Sequence, residues 1–291
     1  MSCRSASILY VELAGRRFAA DLQGAHDLSI PLRFDAEQPR FFAAPPASAH
    51  PLQAGAFIGA VARGGSCNCA TYTLTPHCNG THTECVGHIT RTPLSVREAA
   101  GEHLVIALLV SVAPQRARDT DERSQPAPHP DDWLITRAAL QDGVRAALES
   151  SGLAGVRPSQ AAPDCPGLIV RTLPNPVDKQ WRDHDAALPP YFSAAAIAWL
   201  VAGGVRHLVV DLPSVDRAHD EGRLHGHRLF WGAPPGEVDA SHATRSNATI
   251  TELAYIDAAI PDGLYLLNLQ VAPFVADAAP SRPVIFPLHE A

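Results

Sequence analysis

The residues best equipped for chemistry fall within twelve positions, His77-Cys78-Asn79-Gly80-Thr81-His82-Thr83-Glu84-Cys85-Val86-Gly87-His88. Three imidazoles, a carboxylate and two thiols in so short a run suit a metal-dependent hydrolytic site, with groups to hold a divalent ion and groups to move a proton. The preceding Ala70-Thr71-Tyr72-Thr73-Leu74-Thr75 is β-branched and aromatic, as strands are. If extension continues to Glu84, alternate residues share a face. Cys78, His82 and Glu84 then point one way and His77 the other. A helix would pair Cys78 with His82 but throw Glu84 off that face. The extended reading therefore selects a thiolate, an imidazole and a carboxylate as donors, with Gly80 leaving room between them; the alternative is that Cys78 is only a small buried residue and His77 swings in through a local bulge. His88 lies beyond Val86-Gly87, on a turn that can fold it back.

Gly80-Thr81-His82-x-Glu84-x-x-x-His88 resembles the signature of the metal-dependent cyclase-like hydrolases, which include bacterial kynurenine formamidases and isatin hydrolases. Their pattern reads His-x-Gly-Thr-His-x-Asp-x-Pro-x-His. Here Cys78 stands at the first His, Glu84 replaces the Asp and Val86 replaces the Pro.

The resemblance implies the rest of the site. Asp211-Leu212-Pro213-Ser214-Val215-Asp216 is similar to the family's Asp-x-Pro-Ser-x-Asp run. His227-Arg228-Leu229-Phe230 best matches the His-Arg-x-Leu-Leu segment that follows it, with His219 and His225 as nearby competitors. Glu252, in Thr249-Ile250-Thr251-Glu252-Leu253-Ala254, takes the place of the family's last ligand. Independently of the family, a carboxylate on so apolar a strand is costly unless paired or metal-bound. The implied metal set is Cys78, His82 and Glu84 for one ion, with His227 and Glu252 holding or supporting a second. His88 is the proton shuttle. Phe41, Phe42 and Ser214 are implied at the substrate. A thiolate among the donors favours Zn²⁺ over the alternative, Mn²⁺. The expected activity is hydrolysis of an amide, formamide or lactam of a small molecule. A non-catalytic metal or ligand-binding protein on the same scaffold, and a metal-dependent lyase or cyclase, are the alternatives.

The remaining chain must supply the scaffold. Its 291 residues are 46% hydrophobic and 18% charged, an ordinary globular composition. A net charge of −7 and a pI of about 6.0 argue against a nucleic-acid partner and an anionic membrane surface. The longest apolar run, Leu104 to Ala113, is too short to span a bilayer, and the N-terminus lacks a signal-peptide pattern. A cytoplasmic homodimer with reduced thiols is expected. The six cysteines lack the paired spacing of a structural zinc site. Cys67, Cys69 and Cys85 are instead expected to pack near the site.

In chain order, Ile8–Leu13 and Arg17–Asp21 read as a hairpin within an N-terminal segment of about 1–24. Asp27–Leu32 resembles the family's opening strand, and Leu104–Val112 reads as a fully buried one. The polar stretch of about 115–132 reads as a surface loop. Thr136 caps a helix carrying Leu140, Val144 and Leu148, which stops at Gly152. Strand Gly167–Thr172, a helix over Ala194–Ala202 capped by Ser193, and strand Val205–Asp211 make a crossover unit. Strands Gly263–Ala272 and Arg282–Leu288 close the sheet. The expected fold is a single α/β domain, residues 1–291, a mixed sheet with flanking helices of the cyclase-like, swivelling β/β/α kind.

Overall fold

A computed structural model describes residues 8–92, 94–154 and 165–291. Cys3, and the expectation that the extreme N-terminus carries no export signal, lie outside them. Strands β1 (Ile8–Leu13) and β2 (Arg16–Asp21) form the expected hairpin. It turns at Ala14 and Gly15, both at positive φ (51° and 73°), the backbone that a tight turn between twisted strands requires. The strand expected over Asp27–Leu32 is only β3 (His26–Asp27) followed by a bridge at Ser29. An excursion follows, in which β4 (Ser48–Pro51) and β7 (Ala70–Thr73) enclose the small hairpin of β5 (Gln53–Ala54) and β6 (Phe57–Ile58).

The site segment comprises a helical turn α1 (Pro76–Asn79), β8 (His82–Glu84) and a 3-10 turn over Val86–Ile89. After α2 (Val96–Ala99) comes β9 (Leu104–Val112), buried along nearly its whole length. Its alternation explains the continuous apolar run. Ile106, Leu108 and Val110 enter a cluster on one face of the sheet, while Val105, Ala107 and Leu109 enter a cluster on the other. Both faces are covered, so neither can be polar. The stretch of 115–132 is surface-lying but holds β10 (Gln115–Arg116), which pairs with β11 (Trp133–Ile135).

Thr136 caps α3 (Arg137–Ser150) by accepting from the Ala139 N–H at 3.2 Å, and Leu140, Val144 and Leu148 are buried against the sheet. The chain leaves the helix through Gly152 at φ 74°. Next come β12 (Gly167–Thr172), β13 (Tyr191–Phe192), α4 (Ala194–Ala202, capped by Ser193) and β14 (His207–Val210). Strands β12 and β14 pair in parallel, as a crossover unit demands. The last elements are α5 (His225–Trp231), β15 (Thr249–Glu252), β16 (Gly263–Asn268), β17 (Ala278–Pro280) and β18 (Val284–Glu290).

Eleven strands among the described residues form one mixed sheet, in the order β1-β2-β18-β16-β9-β12-β14-β15-β8-β17 with β3 beside β18. Its centre, β9-β12-β14-β15, is parallel and its flanks are antiparallel. The mixed α/β architecture expected from the sequence is therefore observed. The site strand β8 lies between β15 and β17, so residues far apart in sequence meet across it.

Candidate metal centre

Pairing on both edges buries β8 completely: His82, Thr83 and Glu84 have no exposed surface. The two-residue period turns Thr83 away, where its hydroxyl meets that of Thr251 at 2.7 Å. His82 and Glu84 share the opposite side. The register sets Glu252 across from His82 and Ala278 across from Glu84. Thr81 pins the segment, accepting from the Ile30 N–H at 2.8 Å and donating to the Leu253 carbonyl.

Upstream of β8 the sequence-derived geometry fails. The strand stops at Thr73, and Pro76–Asn79 coil into a helical turn with Pro76 at its first position. Proline has no N–H to give a ladder and a φ suited to a helix start, so it favours the turn. The coil inverts the expected facing. His77 comes in, with Nδ1 2.9 Å from Glu84 Oε2, and its ring packs edge-on to His82 with centroids 5.1 Å apart. Cys78 is buried but belongs to none of the metal-capable groups among the described residues. Burial, with the charges of Asp185 and Glu252, pushes its thiol up to about 11, so it holds its proton at neutral pH. The donors around Glu84 are imidazole nitrogens and carboxylate oxygens, and the thiolate argument for zinc falls with the strand that suggested it.

Two other elements complete the cluster. Helix α5 begins at Leu224, which sits in the left-handed region at φ 47°, and brings His227 over β8. His227 Nδ1 lies 2.6 Å from Asp216 Oδ2, and its Nε2 lies 2.9 Å from Glu84 Oε1. Asp216 also accepts from the backbone of Gly226 at 2.6 Å. A Cβ at position 226 would stand 2.9 Å from that carboxylate oxygen, so glycine permits the approach. Glu252 ends β15, and Oε1 accepts from the Val215 N–H at 2.8 Å. Its oxygens stand 3.6 Å from both His82 Nε2 and His227 Nε2.

These contacts pose a chemical problem. His77 has one nitrogen on Asp277 (3.0 Å) and the other on Glu84 (2.9 Å). His227 has one on Asp216 and the other on Glu84. A neutral imidazole has a single N–H, so in each ring the nitrogen facing Glu84 must carry a second proton or yield to a cation. Burial by itself would lower the pKa of His77, but the bond to Asp277 and the adjacent Glu84 carboxylate prevail and lift it to about 10. His227 is likewise raised, against its burial, by the charge of Glu84 and the bond to Asp216. Burial would raise Glu84, yet the charges of His88 and His227 hold it well below the carboxylate range.

His82 Nδ1 bonds the Gly80 carbonyl at 3.0 Å, which leaves its Nε2 turned into the cluster. His82 Nε2, His227 Nε2 and both Glu84 oxygens are buried without a well-formed hydrogen bond. Orphaned atoms converging from two elements, β8 and α5, fit a divalent cation. Donors about 2.0–2.1 Å from a tetrahedral ion stand about 3.3 Å apart, and the separations of 2.9 to 3.6 Å bracket that spacing. Three overlapping sets have donor atoms within 4.8 Å of one another: His77, His82 and Glu84; Glu84, His88 and His227; and His77, His88 and Asp277. Glu84 is common to the first two.

The residues singled out from sequence divide as follows. His82, Glu84, His227 and Glu252 meet, although β8 and α5 are separated by more than a hundred positions. His88 stands at the rim, with Nε2 3.9 Å from Glu84 and Nδ1 3.5 Å from Asp277. The competitors His219 and His225 are in none of the metal-capable groups. Phe41 is fully buried under Phe42, ring centroids 3.9 Å apart, and Phe42 is about half exposed. Ser214 is buried and caps the turn that carries Asp216, accepting from its N–H at 3.1 Å. Cys85 is buried as expected, whereas Cys67 and Cys69 are exposed. Asp277 and the role of Asp216 were missed, and His77 entered only as the alternative to Cys78. Thr75-Pro76 followed by Asn79-Gly80 is a readable start and stop for a helical turn and would have redirected His77. Asp277 carries no such signal.

A knot of histidines and carboxylates at one flank of a mixed α/β sheet defines a metal-binding class of site. The Cyclase family model, described as “Putative cyclase”, matches residues 26–217, well over half of the chain, and the chain belongs to that family. His227 and Glu252 lie beyond the matched residues. Solved structures share the fold at low identity. An isatin hydrolase A from Labrenzia aggregata, bound to benzyl benzoate, is 15% identical with a TM-score of 0.56, over 92% of this chain and 94% of that one. A predicted metal-dependent hydrolase from Bacillus stearothermophilus is 14% identical with a TM-score of 0.53, over 90% and 97%. Isatin hydrolase A from Ralstonia solanacearum is 16% identical with a TM-score of 0.51, over 91% and 92%. No match to a curated protein was found. No helix among the described residues is long and apolar enough to cross a membrane.

Proposed function

We propose that this protein is a metal-dependent hydrolase that opens an amide, formamide or lactam C–N bond of a small molecule. The observation that carries the reading is the buried Glu84, each of whose oxygens lies 2.9 Å from one nitrogen of an imidazole whose other nitrogen is held by a second carboxylate. Backing carboxylates of this kind fix the tautomer and raise the basicity of metal-binding histidines.

His77, His82 and Glu84 would hold one ion, and His227 with Glu252 and the second Glu84 oxygen would hold or support another. Imidazole and carboxylate donors suit Zn²⁺ and Mn²⁺ alike. Such an ion acidifies water and polarises a carbonyl. The protein's own part is to orient and to move protons. Asp216 fixes the ring of His227 through Nδ1. Gly80 does the same for His82. His88, a quarter exposed and next to Glu84, is placed to deliver a proton from Nε2 to a leaving nitrogen. Phe42 offers an exposed ring to an aromatic substrate.

The test is a screen of purified protein against isatin, N-formylkynurenine and simple cyclic amides, with elemental analysis before and after chelation. Hydrolysis of at least one, lost on stripping and restored by Zn²⁺ or Mn²⁺, is expected. Fully metal-loaded protein that hydrolyses none of them contradicts the proposal.

A further inference from the structure

We infer that Asp277 is a positioning residue that joins His77, a proposed metal donor against Glu84, to His88 at the rim of the cluster. The inference rests on the metal-centre reading above and deepens it.

Asp277 immediately precedes β17, opposite Cys85, whose N–H bonds its carbonyl at 3.0 Å. From there one carboxylate oxygen, Oδ2, reaches His77 Nε2 at 3.0 Å and His88 Nδ1 at 3.5 Å. The two rings lie face to face, tilted by 31° with centroids 4.2 Å apart. On their far sides both turn toward a single oxygen of Glu84, His77 Nδ1 at 2.9 Å and His88 Nε2 at 3.9 Å. Glu84 and Asp277 therefore grip the stacked pair from opposite ends. Glu84 is wholly buried, whereas the side chain of Asp277 is 39% exposed. The grip runs from the interior to solvent.

The backbone is shaped to allow this. Gly87, one residue before His88, presses so closely on the β17 side that a Cβ there would lie 3.2 Å from the Asp277 Cβ and 2.5 Å from the Leu94 carbonyl. Without a side chain at 87, the turn carrying His88 can lie against Asp277. Neither Glu84 nor Asp216 can substitute for Asp277, because both act on other ring nitrogens. The consequence is specific. Asp277 sets the tautomer of His77, so that Nδ1 offers a lone pair to a cation. It also sets the tautomer and angle of His88, so that Nε2 faces the reaction.

The test compares Asp277→Ala and Asp277→Asn with the parent protein by two readouts. The first is Zn²⁺ affinity by chelator competition, which needs no substrate. The second is kcat and KM at saturating metal on whichever substrate the screen yields. Removing a residue that backs a metal-binding histidine typically costs 10–100-fold in affinity or activity. Asp277→Ala is expected to weaken Zn²⁺ by that factor and to lower kcat with little change in KM. Asp277→Asn keeps an accepting oxygen and is expected to recover part of both. Melting temperatures of the metal-free proteins within a few degrees exclude a folding defect. Affinity and kcat both within twofold of parent in Asp277→Ala overturn the inference. A parent that binds Zn²⁺ but hydrolyses nothing sinks the hydrolase reading, and the affinity comparison still judges Asp277. A parent that binds no metal sinks both.

Discussion

His77→Ala and Cys78→Ser, measured side by side for zinc, decide which geometry of the site segment is real. The helical turn gives His77 a nitrogen 2.9 Å from Glu84, while the Cys78 thiol, buried and held protonated by a pKa of about 11, sits outside the donor groups. Structural zinc sites bind with roughly 10–16 kcal/mol spread over four donors, so one donor is worth about 3 kcal/mol. By that figure His77→Ala weakens zinc by about 100-fold or more. Cys78→Ser removes no donor. It places a hydroxyl in a thiol's buried position, a matter of about 1–3 kcal/mol of fold stability, and should leave zinc affinity within a few-fold. The assay is competition with a chromophoric chelator, backed by elemental analysis of desalted protein. Zinc kept in His77→Ala and lost in Cys78→Ser would refute the reasoning and restore an extended strand through Asn79.

Other outcomes follow from the same contacts. His88→Ala should retain its metal and lose about 10²–10⁴-fold in kcat; loss of metal as well would make His88 a donor, as its grouping with Glu84 and His227 permits. Gly226→Ala would put a Cβ 2.9 Å from the Asp216 carboxylate, and should push that carboxylate aside and weaken metal binding about 10–100-fold, with little change in melting temperature, since a side-chain end can yield where backbone cannot. Because the carboxylates beside them raise His77 to about 10 and His227 well above the ordinary imidazole range, both rings are expected to hold a second proton in the metal-free protein at neutral pH. Metal must displace those protons, so affinity should rise with pH between 6 and 9, by up to about tenfold per unit for each proton displaced. Calorimetry in buffers of different ionisation enthalpy should show about one proton released per ion at pH 7; none released would contradict the account.

Much of the scaffold was readable because it obeys local rules. Thr136 and Ser193 cap their helices through the side-chain bonds their residue types favour. Leu104–Val112 is apolar throughout because both of its faces are covered. The candidate site was readable in part. His82 and Glu84 share a face for the two-residue period that predicted it, and Glu252 is held at the cluster as a carboxylate on an apolar strand should be. The error at Cys78 came from extending one period across Pro76, where a single helical turn shifts every later side chain relative to those before it. Asp277 was beyond reach for a different reason. Its meeting with His77 depends on β17 pairing with β8 at one register, a long-range choice that no nearby residue announces.

Anomalous diffraction at the zinc edge from crystals of the protein grown with Zn²⁺ tests the central claim most directly. The account predicts a peak bonded to His77, His82 and Glu84 at about 2.0–2.2 Å, with His227 and Glu252 bordering it or ligating a second ion across Glu84. No peak at Glu84, or a peak bonded to Cys78 sulfur at about 2.3 Å with His77 turned away, would contradict it.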